Sequence, residues 1–347
     1  MKRALVTGGL GFIGSNLVRE LVARGYTVEI IDDLSNGHIE FLKDESSRHR
    51  MRVIPVGMLG PYLREVAASG EPAAANGSDE LMYSNPLVIT GDFAHDDVLA
   101  RVRDGFYDTI FHLAANPRVE YSVNNPTETT EQNVLKTVGL FEVAAKSGTR
   151  VVFASSSAVY GDCSELPTAE AVLKVPNSPY GLQKYVCEQF ARLMAGLYDL
   201  DAVCLRYFNV YGPRQYGISP YSTAICSWCD KVKSEQPLRS DGDGLQSRDL
   251  VYVGDVVNAN ILAAESDINW KGEPINVASG TSYTNKEILN KFQDKFSDVD
   301  VVAAPRRAGD VMHTKADVAT AARTLGFQAQ VGMDEGLART WEWWGLS

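Results

Sequence analysis

Short apolar runs rich in β-branched residues recur along the first two thirds of the chain: RALVT (3–7), TVEII (27–31), LVIT (87–90), DTIFHLA (108–114), RVVFAS (150–155) and AVCLRYF (202–208). Between them lie longer stretches, at 11–24, 95–104, 126–147 and 178–199, where apolar positions return at helical spacing. The first pattern predicts strands buried on both faces, the second amphipathic helices. Their alternation predicts an α/β fold with a doubly wound parallel sheet. From about residue 210 the rhythm breaks into Gly/Pro-rich connections and shorter elements, although VYVGDVVNANILAAES (251–266) has the strand-then-helix pattern and is expected to return to the first lobe. The predicted organisation is a large lobe of residues 1–208 plus about 250–268, and a smaller, discontinuous C-terminal α/β lobe of about 209–249 and 269–347.

One stretch is too long for this scheme. A compact crossover between parallel strands needs far fewer residues than separate Asp33 from TGD at 90–92. An insertion near 50–86 is expected, with MRVIPVG (51–57) as an added strand, PYLREVAAS (61–69) as a helical turn or two, and GEPAAANGSDE (70–80) as a surface excursion.

Composition narrows the class of protein. With 45% hydrophobic residues the chain of 347 can bury a large core. A net charge of -11 argues against nucleic acid or an anionic membrane as partner, so any anionic ligand needs local cations. No apolar run approaches the roughly 20 residues of a membrane span, and MKRALVTGG enters a strand pattern at once, so a soluble, cytoplasmic protein is expected. Five cysteines, at 163, 187, 204, 226 and 229, form no even framework and suit a reducing compartment. Cys226 and Cys229 form a CxxC without a second pair, inside a helical pattern, and read as helix-packed thiols with no metal. WEWW (341–344) reads as the buried face of a last helix.

Candidate chemistry begins at GGLGFIGS (8–15), which follows a predicted strand and opens a helix. Gly8 permits the tight turn, Gly11 lets the backbone approach a pyrophosphate, and Gly14 allows close packing of the helix, whose N-terminus offers free N–H groups. Asp32 ends the second strand, where a carboxylate accepts hydrogen bonds from ribose hydroxyls and repels a 2′-phosphate. This is a Rossmann-type dinucleotide fingerprint, and it favours NAD over NADP. Asp92 in TGDF suits the adenine edge. Phe12, Ile13, Phe93, Leu113, Ala114, Ala115 and Tyr207 complete the expected cofactor contacts.

In SPYGLQK, Tyr180 and Lys184 stand four apart on one helix face, preceded by the hydroxyl cluster SSSAVYGD (155–162). An ammonium and an oxidised nicotinamide could lower the phenol from about 10 toward 7, a differential stabilisation of about 4 kcal/mol. The result would be a general base for a sugar or alcohol hydroxyl.

Taken in order, TGGLGFIGS, HLAANPRVEYSVNNP (112–126), SSSAVYGD, SPYGLQK, LRYFNVYGP (205–213), GDGLQSRDLVYVGDV (242–256) and RRAGD (306–310) resemble the extended short-chain dehydrogenases/reductases, in particular their nucleotide-sugar 4-epimerase branch. The likeness covers nearly the whole chain. It implies that Ser156 hydrogen-bonds the sugar O4, that Tyr180 is the base, and that Lys184 binds the nicotinamide ribose. It further implies that Asn209 holds the nucleotide diphosphate, Arg248 and Arg307 grip its phosphates, and Asp310 touches its ribose. A UDP-sugar partner, tightly bound NAD regenerated in each cycle, and a homodimer built as a four-helix bundle from 126–147 and 178–199 follow from the same likeness.

Dehydrating relatives carry Asp-Glu directly after the catalytic hydroxyl residue, and decarboxylating relatives keep the glutamate. This chain has Ser157 and Ala158 there, so return of the hydride, hence 4-epimerisation, is the expected outcome. The family's gatekeeper position falls on Thr314, small enough to leave room for a 2-N-acetyl group. UDP-GlcNAc and UDP-GalNAc are expected as substrates alongside UDP-glucose and UDP-galactose. Arg118 is expected near the sugar and would suit a carboxylate, which keeps a uronate 4-epimerase as the alternative, while Asn209 fits the neutral sugars better. A non-catalytic NAD-binding scaffold would require degraded catalysis, and Ser156, Tyr180 and Lys184 are all present.

Overall fold

The computed structural model describes residues 2–43, 51–68, 85–216, 223–305 and 311–346. Among the described residues thirteen strands follow in order: β1 (Arg3–Thr7), β2 (Thr27–Asp32), β3 (Arg52–Pro55), β4 (Leu87–Thr90), β5 (Thr109–His112), β6 (Arg150–Ser156), β7 (Ala202–Tyr207), β8 (Asn209–Tyr211), β9 (Leu238–Asp241), β10 (Ser247–Tyr252), β11 (Lys271–Val277), β12 (Ser282–Thr284) and β13 (Val301–Ala304). Eight of them form one parallel sheet in the order β11-β7-β6-β5-β1-β2-β4-β3. Its central strands are apolar on both sides because both sides are covered. The helices of this region are α1 (Phe12–Ala23), α2 (Leu59–Ala68), α3 (Asp96–Arg103), α4 (Val119–Asn124), α5 (Pro126–Thr130), α6 (Lys136–Ser147) and α7 (Pro179–Tyr198). After them come α8 (Ala224–Lys233), α9 (Val253–Glu265), α10 (Asn285–Lys295), α11 (Ala319–Leu325) and α12 (Met333–Trp344). Helices α3, α6 and α7 pack together on one face of the sheet, and α1 with α9 on the other.

The smaller sheets lie beyond β7. One has the order β12-β10-β8 and the other pairs β13 with β9. The stretch 251–266 thus divides. Its strand part belongs to β10, which pairs with β8 and β12 in the three-stranded sheet, while its helix α9 returns to the large sheet. The strand that does return is β11, which pairs with β7 at the sheet edge. KGEPINV lacks a long β-branched run, and an edge with a register shift between Lys271 and Glu273 tolerates its Gly272 and Pro274.

Two further expectations change in detail. The strand from 108 ends at His112, because the Leu113 and Ala114 N–H groups turn to Thr7, donating to its carbonyl and its hydroxyl, both at 3.1 Å. The helical stretch 126–147 is interrupted by a π-helical turn at Glu131–Leu135. There the Asn133 carbonyl accepts the Cys187 thiol at 3.2 Å, and its side-chain amide donates to Gln183 at 2.8 Å on α7. The insertion contributes β3 and α2, and the 70–80 excursion lies outside the described residues. As a short edge strand ending in proline, β3 offers little to a passing chain. Cys226 and Cys229 are buried on α8. On α12, Trp344 is buried and Trp341 and Trp343 pack half-buried beside it.

Candidate active site

The carboxyl ends of β1, β2, β4, β5 and β6 converge on one edge of the sheet, where open parallel sheets hold ligands. Gly8 has φ +69°, and a Cβ there would meet the Ala114 backbone nitrogen at 2.8 Å. Gly14 crosses so close beneath it that a Cβ would lie 2.1 Å from the Gly8 carbonyl oxygen, so its close approach is to the glycine loop. Gly11 opens α1 without any side-chain cap, and little crowds its outer side, so the first amides of Phe12 and Ile13 are left for an anion. This cradle fits a pyrophosphate.

Asp32, only 6% exposed, accepts the Leu10 N–H at 3.0 Å and the Leu34 N–H at 2.9 Å. Burial raises its carboxyl above the usual range, against the pull of those two amides. Asp92 accepts the Ala94 N–H at 2.9 Å and the Lys136 ammonium at 2.6 Å, an ion pair that the sequence reading missed. Phe93 stands edge-on to His112 at 4.8 Å. Leu113, Ala114 and Ala115 follow β5 into the loop, where the Ala114 backbone abuts Gly8. Arg118, expected beside the sugar, donates at 2.5 Å to Asn36 in the loop after β2. Because β1 lies between β5 and β2, this bond spans the glycine loop.

Three successive residues at the end of β6 grip three residues of α7 spaced by four. The Ala154 carbonyl accepts the Lys184 ammonium at 2.8 Å. The Ser155 hydroxyl donates to Glu188 at 2.5 Å. The Ser156 hydroxyl accepts the Ala158 N–H at 3.2 Å and lies near the Tyr180 phenol, where it favours the phenolate. Residues 180, 184 and 188 form one stripe of the helix, so a single strand end can address all three. Helix α7 is aimed by its start: the Ser178 hydroxyl accepts the Gly181 N–H, Pro179 fills the first turn, and the Tyr180 N–H donates to Ser122 at 3.1 Å. Gly181 permits the contact with the serine loop, because a Cβ there would meet the Ala158 carbonyl at 2.5 Å. Tyr207 pairs with Ser156 in the ladder, and its hydroxyl donates to Asn260 at 2.8 Å.

The electrostatics differ from expectation in one respect. Burial pushes the Tyr180 phenol up to about 12, opposed by the nearby Ser156 hydroxyl. Burial also brings Lys184 down to about 8. Instead of lowering the phenol, the ammonium is committed to the Ala154 carbonyl, 4.7 Å from the centre of the Phe153 ring and 5.9 Å from that of Tyr180. His112 is held at about 3 by burial and by the Lys184 charge, between the hydroxyls of Thr7 at 2.7 Å and Thr137 at 2.9 Å.

On the substrate side, Asn209 on β8 donates to the Asp249 carbonyl at 3.4 Å and to the Thr314 hydroxyl at 3.3 Å. Thr314 also accepts the Asp249 N–H at 3.0 Å. Arg248 on β10 donates to the carbonyls of Ser247 at 2.9 Å and Met312 at 3.2 Å. Arg307 and Asp310 lie outside the described residues. Glu188 went unnoticed as a third member of the Tyr180 and Lys184 stripe, although its spacing is visible in YGLQKYVCE.

The profile of the NAD dependent epimerase/dehydratase family matches residues 4–278. A UDP-glucose 4-epimerase of Mycolicibacterium smegmatis is 32% identical over 345 residues, 98% of this chain and 97% of its own length. Among solved structures, the UDP-N-acetylglucosamine 4-epimerase from Methanobrevibacter ruminantium M1, in complex with UDP-N-acetylmuramic acid, superposes with a TM-score of 0.83 at 34% identity, over 99% of this chain and 97% of that one. The UDP-glucose 4-epimerase of Thermotoga maritima with UDP-glucose gives 0.82 at 30%, over 99% and 98%.

Proposed function

The chain belongs to the NAD dependent epimerase/dehydratase family and takes NAD as its cofactor, and on that premise we propose that it inverts C4 of a UDP-hexose through a transient 4-keto sugar. The observation that carries the reading is the Ser156–Tyr180 hydroxyl pair at the end of β6, with no carboxylate at 157 or 158 to divert a ketone. In this reading the amides of the Gly8–Gly14 loop, with Phe12 and Ile13, hold the pyrophosphate, Asp32 the ribose, and Asp92 and Phe93 the adenine edge. Leu113, Ala114, Ala115, Tyr207 and Lys184 surround the nicotinamide end. NAD supplies a hydride acceptor for C4 and then a hydride donor to it.

Tyr180 removes the O4 proton, relayed through Ser156, and returns it at the end of the cycle, so the reaction is redox-neutral and no water or carbon dioxide leaves. A phenol at about 12 is a poor base at neutral pH, so positive charge must come close to its oxygen in the loaded enzyme. Asn209 and Arg248, with Arg307 and Asp310, keep the nucleotide fixed while the keto sugar turns about its diphosphate link. The Thr314 hydroxyl is drawn toward Asp249 and Asn209, which supports space for an N-acetyl group. Exposed Leu135, Leu182, Leu193, Leu197 and Tyr198 support a homodimer through the stretches 126–147 and 178–199. A cytoplasmic location is supported by five cysteines that form no disulfide among the described residues; among the same residues no helix is long and apolar enough to cross a membrane. The division into a cofactor lobe and a substrate lobe is supported by the separation of the large sheet from the two small ones.

Purified protein incubated separately with UDP-GlcNAc, UDP-glucose and UDP-glucuronate tests the reading by NMR. Formation of the C4 epimer from either neutral sugar is the expected result. Turnover of the uronate alone, or loss of water from the preferred substrate, would overturn it.

A further inference from the structure

Behind the serine and tyrosine lies a buried ion pair that the proposed chemistry does not use. Glu188 and Arg206 are 2% and 1% exposed. The guanidinium grips the carboxylate with two parallel bonds, Nε to Oε1 at 2.9 Å and Nη2 to Oε2 at 2.6 Å, the geometry that makes arginine pairs directional. Each partner has a free hand. Glu188 accepts the Ser155 hydroxyl on the same Oε1. Arg206 donates through Nη1 to the Tyr160 hydroxyl at 2.8 Å and to the Glu170 carbonyl at 3.2 Å. Tyr160 in turn donates to Asn276 on β11 at 2.6 Å, and the Asn276 amide reaches the Asp317 carbonyl at 3.1 Å, three residues beyond Thr314.

Two ions in so apolar a place contribute little net stability, since desolvation offsets most of their attraction. A packing role alone would be filled as well by two apolar side chains. What apolar residues could not supply is a fixed direction for the Ser155 hydroxyl. Residues 154–156 form one continuous strand end, so a fixed direction for the Ser155 side chain also fixes the backbone at the next residue, Ser156, and at the Ala154 carbonyl that holds Lys184. We propose that Glu188, oriented by Arg206, is a positioning residue that sets the rotation of 154–156 and so brings Ser156 onto the Tyr180 hydroxyl. The Tyr180 and Lys184 stripe is then a three-membered device, with Glu188 acting through Ser155.

This inference rests on the epimerase reading for its kinetic arm, and it carries a second arm that needs no turnover. Ser155→Ala in the NAD-loaded enzyme is expected to lower kcat about tenfold or more while KM stays within about threefold, because a small misplacement of a reacting group is costly in rate. The ionisation of Tyr180, followed by ultraviolet difference absorbance against Tyr180→Phe, is expected to move upward as its Ser156 partner turns away. Wild-type kcat together with an unmoved titration would overturn the inference. If no UDP-sugar is turned over by the wild type, the epimerase reading fails and the titration alone decides this one.

The double variant Glu188→Leu/Arg206→Met separates position from stability. Folding with a thermal midpoint near that of the wild type while kcat remains at least about tenfold low is expected. Recovery of kcat along with the midpoint would reduce the pair to a structural role. Should that variant fail to fold, Glu188→Gln, which keeps the shape and an acceptor, is read in the same two assays against the same criteria.

Discussion

At one edge of a single sheet the molecule builds two half-sites in opposite ways. Around β1 and β2 the shape is made by backbone: three glycines, an uncapped helix start and a carboxylate held by two amides. Around β6 and α7 it is made by side chains, a ladder of hydroxyls and buried charges with few alternatives in geometry. The first half should tolerate changes of side-chain chemistry and fail when a Cβ is added. The second should tolerate added or lost bulk better than the loss of a single polar atom.

Removing one oxygen from the catalytic half gives the largest expected effect. Tyr180→Phe should lower kcat by about 10²- to 10⁴-fold, the usual weight of a general acid-base group, while bound NAD and the thermal midpoint hold. Steady-state kinetics and the absorbance of released cofactor check this, and activity within tenfold of wild type would leave Tyr180 without the role. Adding one methyl to the cofactor half comes next. Gly14→Ala forces a Cβ to 2.1 Å from the Gly8 carbonyl, so a loss of about 3 kcal/mol in urea unfolding is expected together with weakened NAD binding. An unchanged midpoint would show that the loop can yield.

His112 sits between the two halves and sharpens the contrast through pH. Its imidazole is held at about 3 when folded against 6.5 for a free histidine, so below 6.5 the unfolded chain takes up a proton that the folded chain refuses. Stability should therefore fall as pH drops from 6.5 toward 3, by up to about 1.4 kcal/mol per pH unit for this group. His112→Gln, which can keep both threonine partners, should flatten that slope in urea titrations between neutral pH and about 5. Equal slopes would remove His112 as the cause. The smallest effect is expected at Thr314, where Thr314→Tyr should cut kcat/KM for UDP-GlcNAc about tenfold and leave UDP-glucose within about threefold. A uniform loss would make Thr314 a packing residue only.

The two halves were also unequally readable from the chain. The glycine spacing, the strand before it and Asp32 after it are local signals, and each falls where its pattern predicts. Tyr180 and Lys184 are local too, four apart on one helix. The groups that surround them are not: Arg206, which grips Glu188, sits on β7, Asn276, which accepts from Tyr160, on β11, and Lys136, which pairs with Asp92, on α6, and only the tertiary fold brings them together. For the same reason β11 escaped notice, since an edge strand with a glycine and a proline gives a weak pattern until β7 supplies its ladder. Polarity at Tyr180 was misjudged because the sequence placed an ammonium one turn away and could not place the Ala154 carbonyl that holds it.

The most direct measurement follows the hydrogen on C4. UDP-glucose deuterated at C4, turned over in ordinary water by the NAD-loaded protein, should yield UDP-galactose with the deuterium still on C4 and with no net gain or loss of NADH. Loss of the label to solvent, or release of a 4-keto sugar with stoichiometric NADH, would contradict removal and return of one hydride at a single carbon.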